Sequence, residues 1–187
     1  MDKEKAKKAV ADLLDAIGED KTRLGLKDTP QRVVDMLSEI LAGFYAEKYE
    51  GEPPINFFDE AFGDMIIVRD IEFHSMCEHH LLPFYGVVHI CYIPSPHHLL
   101  GISQLARIVE THARRLTIQE NMTTSIADLL EKEAKANGVA VIIEASHLCM
   151  TMRGVKKTTA KTMTSALRGL FLKNAALRAE AMALLNK

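Results

Sequence analysis

The stretch Ile67-Val68-Arg69-Asp70-Ile71-Glu72-Phe73-His74-Ser75-Met76-Cys77 decides how this chain folds. Ile67, Ile71 and Phe73 interleave with Val68, Asp70 and Glu72, a period near two that predicts a strand. That strand delivers its C-terminal end directly to Cys77. Upstream the period is helical. Ala6, Ala9, Val10, Leu13, Leu14 and Ile17 lie on one face of a helix that stops at Gly18. Thr29 is expected as the N-cap of a second helix, with Pro30 at its first position. Val33, Met36, Leu37, Ile40, Leu41 and Phe44 form the buried face of that helix.

Residues 50–64 are rich in Gly, Pro and acidic side chains, the composition of a linker or long surface loop. The expected organisation is a helical arm over residues 1–50, a linker over 51–64 and a catalytic domain over 65–187. Downstream of Cys77 a second strand runs from Phe84 to Ile93, bounded by Pro83 and by Pro94-Ser95-Pro96. Ser103 is read as the N-cap of a helix bearing Leu105, Ile108, Val109 and His112. A further helix over about 119–135 buries Met122, Ile126, Leu129 and Leu130. A short apolar strand from Val139 to Glu144 leads to His147 and Cys149. The threonine-rich run from Thr158 reads as extended, and a last helix starts near Asn174.

Strand–strand–helix–helix–strand–strand between terminal helices predicts an α+β fold. Four antiparallel strands covered on one face by two helices leave a face or an edge in need of a partner, so self-association is expected.

Composition sets limits. Lys and Arg number 23 against 25 Asp and Glu, a formal net charge of -2, which gives no support to nucleic-acid binding. No run of 18 uncharged apolar residues occurs, so no membrane span is expected. The charged start Met1-Asp2-Lys3-Glu4-Lys5 has no apolar secretory core. Three cysteines leave at least one thiol unpaired and suit a reducing cytoplasm.

Two of those cysteines lie in Ser75-Met76-Cys77-Glu78-His79-His80 and Ser146-His147-Leu148-Cys149-Met150. Cys77, His80 and Cys149 supply two sulfurs and an imidazole, which suit borderline-soft Zn²⁺ and leave a fourth position open. The same residues also read as buried inert thiols and a core histidine. Glu78, His79 and His147 crowd both segments and are hard to place in a core, which favours the metal. Cys91, alternating with Ile90 and Tyr92, reads as structural. Gly101-Ile102-Ser103 with Arg107 is either a phosphate-binding helix start or a plain cap. Arg153, Lys156 and Lys157 form a small basic cluster that either neutralises an anionic substrate or is a solvated turn.

Taken together, these residues resemble the GTP cyclohydrolase I family. The likeness runs through Gly25-Leu26-Lys27-Asp28-Thr29-Pro30, the Cys77-Glu78-His79-His80 segment, Gly101-Ile102-Ser103-Gln104-Leu105-Ala106-Arg107, Ile118-Gln119-Glu120 and His147-Leu148-Cys149-Met150 with Met152-Arg153-Gly154. The resemblance implies the tunnelling fold, a four-stranded antiparallel sheet backed by two helices, assembled into pentameric rings and a homodecamer with active sites between subunits. It implies Zn²⁺ on Cys77, His80 and Cys149. His79 falls near N7 and C8 of guanine, His147 near the ribose ring oxygen, and Glu120 on the guanine edge beside Gln119. Ser103, Gln104, Arg107 and Arg153 fall on the triphosphate. The implied reaction opens the purine of GTP at C8, releases formate and gives 7,8-dihydroneopterin triphosphate, the entry to pterin and tetrahydrofolate biosynthesis. Three positions at which the family carries cations are neutral here: Gln104, Val87 and Asn121. They leave room for a less phosphorylated guanine nucleotide or pterin as substrate. A non-catalytic oligomeric binding protein that keeps zinc as structure is the remaining alternative.

Overall fold

The computed structural model describes residues 1–45 and 57–185, so the end of the expected arm and the start of the expected linker lie outside the described residues. The chain divides into two compact units, Met1–Ala42 and Gly43–Lys187. The first holds α1 (Lys3–Ala16) and α2 (Thr29–Ile40); α3 (Ala42–Tyr45) is a single turn at the boundary. Asp2 Oδ1 accepts from the Lys5 amide at 3.0 Å and caps α1. Gly18, at φ 83°, lets the chain leave that helix. The N-cap of α2 is Asp28, one residue before the expected Thr29, whose hydroxyl instead donates to Gly25 O at 3.3 Å.

In the second unit the elements run β1 (Phe57–Phe58), β2 (Ile66–Cys77), β3 (Pro83–Ile93), β4 (Leu99–Leu100), α4 (Ile102–Ala113), β5 (Leu116–Thr117) and α5 (Gln119–Lys132). They continue through β6 (Gly138–His147), α6 (Leu148–Thr151), β7 (Thr162–Gly169), α7 (Leu170–Lys173) and α8 (Ala175–Leu185). The architecture is α+β, with one correction. The sheet has five strands in the order β5-β2-β3-β6-β7, and β5 runs parallel to β2. The expected four antiparallel strands are its last four members. A separate two-stranded sheet pairs β1 with β4, placing a strand inside the expected linker. The N-cap of α4 is Gly101, so Ser103 sits in the first turn instead of capping it. Among the described residues no helix is long and apolar enough to cross a membrane.

A bulge corrects the reading of β2. Val68 pairs with Ile90 and Ile71 with Val88, so β2 carries one extra residue between these pairs. Asp70 takes a φ of 57° there, and its amide donates to His89 Nδ1 at 3.1 Å. The extra residue inverts the side-chain parity. Ile66 and Val68 pack with Ile71 against the main core, whereas Ile67 turns to the opposite face.

That main core lies between the sheet and two helices. Phe73, Phe84, Val88, Ile90, Val141 and Ile143 meet Leu105, Ile108 and Val109 of α4 and Met122, Ile126 and Leu130 of α5. Part of the other face is covered by α7 and α8, through Phe171 and Ala181 against Cys91, Ile93 and Ala140. Cys91 is fully buried there, and burial pushes its thiol up to about 11, consistent with an inert packing role. Gly86 allows the close approach of β3 and β6: a Cβ on it would lie 1.9 Å from Glu144 O and 2.7 Å from Ala145 Cα. Both obstacles are backbone. Gly86→Ala is therefore expected to destabilise the protein by about 3 kcal/mol or more, read as a fall in denaturant midpoint. An unchanged midpoint would mean the strands separate at little cost.

Candidate active site

The metal-ligand segment is a tight turn at the end of β2. The Cys77 amide donates to Leu82 O at 2.9 Å, and the Leu81 amide donates back to Cys77 O at 2.9 Å. Leu81 takes a φ of 52°, a left-handed conformation that costs a residue with a Cβ about 1 kcal/mol or more. β5 holds the turn from the side, because the Glu78 amide donates to Thr117 O at 3.1 Å. The result folds His80 back toward Cys77, with Sγ and Nδ1 4.0 Å apart.

Cys149 reaches the same place from β6, which ends at His147 and passes directly into the one-turn α6. The donor atoms of Cys77, His80 and Cys149 all lie within 4.8 Å of one another. Two sulfurs and an imidazole in one cluster fit Zn²⁺, and among the described residues no carboxylate joins them to favour Mg²⁺ or Ca²⁺. Burial raises the Cys149 thiol above its ordinary value, the adjacent Cys77 sulfur adds to the rise, and Arg153 pulls it down.

Around this cluster is a cavity of about 230 Å³ lined by Cys77, His79, His80, Phe84, Thr117, Ile118, Gln119, Glu120, His147, Cys149, Met150 and Thr162. His147 pairs with Phe84 across β3 and β6, and their rings stack at 4.8 Å with an interplanar angle of 1°. Its Nε2 lies 2.8 Å from Gln119 Oε1. Burial lowers the His147 pKa below its usual value, and the Glu120 carboxylate opposes that shift. Glu120 is exposed in the first turn of α5. His79 is 63% exposed in its side chain, with Nε2 4.0 Å from Glu78 Oε1. Gln119, expected to touch substrate, is 1% exposed and its amide is engaged by protein groups.

The remaining expected residues lie off the cavity wall. Ser103 and Arg107 are exposed on α4, Arg153 is exposed after α6, and Gln104 is buried at 7% exposure. The neutral positions separate in the same way. Val87 pairs with Glu72 and Glu144, whose side chains share the sheet face opposite the metal cluster. Asn121 is exposed on α5. Phe84, Thr117 and Thr162 were not singled out as site residues. The sequence marks Phe84 only as the start of a strand and Thr162 only as part of an extended run, neither of which points to a site. A wider concavity of about 510 Å³ lies on the other sheet face by Ile142, Met163, Ser165, Arg178 and Met182, and among the described residues no Cys, His, Asp or Glu lines it.

Comparison with known proteins agrees with this site. The GTP cyclohydrolase I family model matches residues 6–186. GTP cyclohydrolase 1 of Thermoanaerobacter pseudethanolicus is 52% identical over 187 residues, covering 100% of this chain and 98% of that one. The Carboxydothermus hydrogenoformans GTP cyclohydrolase 1 is 51% identical over 185 residues, covering 99% and 95%. With a match across nearly its whole length and a sulfur–imidazole cluster beside His147 and Glu120, the chain belongs to the GTP cyclohydrolase I family.

Proposed function

We propose that this protein hydrolyses GTP at purine C8 in a zinc-dependent reaction, releases formate and rearranges the ribose to give 7,8-dihydroneopterin triphosphate. The observation that carries this reading is the Cys77–His80–Cys149 cluster in one cavity with His147 and Glu120. What zinc supplies when bound is Lewis acidity, enough to make water a competent nucleophile near neutral pH. His79, exposed beside the cluster, protonates N7 and makes C8 more electrophilic. Glu120 accepts two N–H donors from N1 and the 2-amino group of guanine, a pattern adenine does not present. His147 moves protons at the ribose.

Ser103, Arg107, Arg153 and Gln104 take the triphosphate. Because Ser103, Gln104 and Arg107 lie off the cavity wall, this reading draws them from a neighbouring copy, as pentameric rings stacked into a homodecamer would allow. Residues 65–187 form the catalytic body in this reading, the helical arm spans 1–50 and the linker 51–64. The protein works in the cytoplasm. Neutral Gln104 supports one second reading, a guanine nucleotide with fewer phosphates.

Zinc-loaded protein incubated with GTP is expected to give stoichiometric formate and a product of the mass of dihydroneopterin triphosphate, both abolished by chelator. Faster turnover of GMP or guanosine would select the second reading. Mixing inactive Arg107→Ala and Glu120→Gln proteins under conditions that exchange subunits is expected to restore about a quarter or less of wild-type activity through hybrid sites. No restoration despite verified exchange would place each complete site within one chain.

A further inference from the structure

We propose that Gln119 is a positioning residue that fixes His147 as its Nε2–H tautomer, so that His147 exchanges protons with substrate through Nδ1. The inference rests on the reading that His147 moves a proton in the reaction. It follows from which atoms at Gln119 can donate and which can only accept.

Gln119 Nε2 lies 3.0 Å from Ile143 O and 3.1 Å from Thr162 O. Backbone carbonyls only accept, so the amide NH₂ must face them and the amide oxygen must face the other way. A third neighbour agrees: Gln119 Nε2 lies 3.0 Å from Thr164 Oγ1. The Thr123 hydroxyl donates to Gln119 O at 2.7 Å. With that proton committed, the 2.6 Å contact between Thr123 and Thr164 must be a donation from the Thr164 hydroxyl. Thr164 Oγ1 then has lone pairs free to share one of the two Gln119 amide hydrogens with a carbonyl, so no contact requires the amide to be turned round.

Gln119 Oε1 is left facing His147 Nε2 at 2.8 Å. An amide oxygen cannot donate, so Nε2 carries the hydrogen. In the neutral imidazole the lone pair therefore sits on Nδ1. Among the described residues no hydrogen bond reaches Nδ1. Gln119 and Thr123 are each 1% exposed, so bulk water offers the network no substitute partners. The Phe84 ring, stacked on His147, opposes a ring flip that would exchange the two nitrogens. Nδ1 then takes a proton from substrate, the resulting imidazolium keeps its Nε2–H on Gln119, and the same Nδ1 proton is returned later. No net charge or proton remains on the protein.

The test uses the full-length, zinc-loaded protein carrying ¹⁵N-labelled histidine at pH 8, with the His147 signals assigned by their loss in His147→Asn. The two-bond ¹H–¹⁵N pattern of the wild type is expected to show Nε2 protonated and Nδ1 bare; the opposite pattern overturns the proposal. Gln119→Leu is expected to lower kcat about 10²-fold with KM for GTP within about twofold and zinc content unchanged. An increase in KM with kcat retained would make Gln119 a substrate contact and overturn it too. Should Gln119→Leu fail to fold, the wild-type spectrum decides alone. Formate release by the same wild-type sample tests the underlying reading separately: no turnover with an Nε2–H His147 removes the function and leaves the tautomer assignment standing.

Discussion

Cys149→Ala is expected to lose its zinc during gel filtration and to release formate from GTP at least ~10³-fold more slowly than wild type. Cys149 sits in a single helical turn at the end of β6, half-buried, with its sulfur within 4.8 Å of the other two donors. Removing it leaves one sulfur and one imidazole, too few protein ligands for tight Zn²⁺ binding. The fold has no comparable dependence, because Cys149 packs only at the margin of the main core. Metal analysis, formate release and thermal unfolding on one preparation separate these effects. Full zinc content with wild-type turnover in Cys149→Ala would put the metal elsewhere.

His147→Asn is expected to keep its zinc and lose about 10²–10⁴-fold in kcat, the range for removing a general acid–base group. The substitution also leaves Gln119 Oε1 without its imidazole donor in a buried setting and removes the stack on Phe84. A loss of about 1–3 kcal/mol in stability should accompany the kinetic effect, seen in the denaturant midpoint. A variant with normal kcat and raised KM would reduce His147 to a binding contact. Loss of zinc would make the imidazole a metal ligand, against the geometry of Cys77, His80 and Cys149.

The long strands and the metal ligands were legible because each leaves a local mark. Alternation or an apolar run between turn residues marks a strand, and Cys77-x-x-His80 marks one turn around an ion. The two-residue strands β1, β4 and β5 leave none, since a period cannot show in two residues. Yet β5 holds the ligand turn, through Thr117 O and the Glu78 amide. The bulge at Asp70 was hidden for a related reason: just upstream of it Ile66, Ile67 and Val68 are apolar on both faces, so a parity shift of one leaves no mark. Gln119 could be noticed beside Glu120, but its engagement with Ile143 and Thr162 is made with backbone carbonyls from distant strands, and carbonyls have no sequence signature. The scatter of Ser103, Arg107 and Arg153 away from the cavity is likewise beyond the reach of spacing along one chain.

The pairing of Phe84 with His147, next to Gly86 with Ala145, has a further implication for how this chain can change. Cys77, Phe84, His147 and Thr162 reach the cavity because each occupies the same phase of the pleat on its own strand. Inserting or deleting one residue within β6 upstream of His147 would preserve a hydrogen-bonded sheet but rotate the imidazole to the reverse side. Length variation between Gly138 and His147 should thus keep the imidazole on the cavity side only in steps of two.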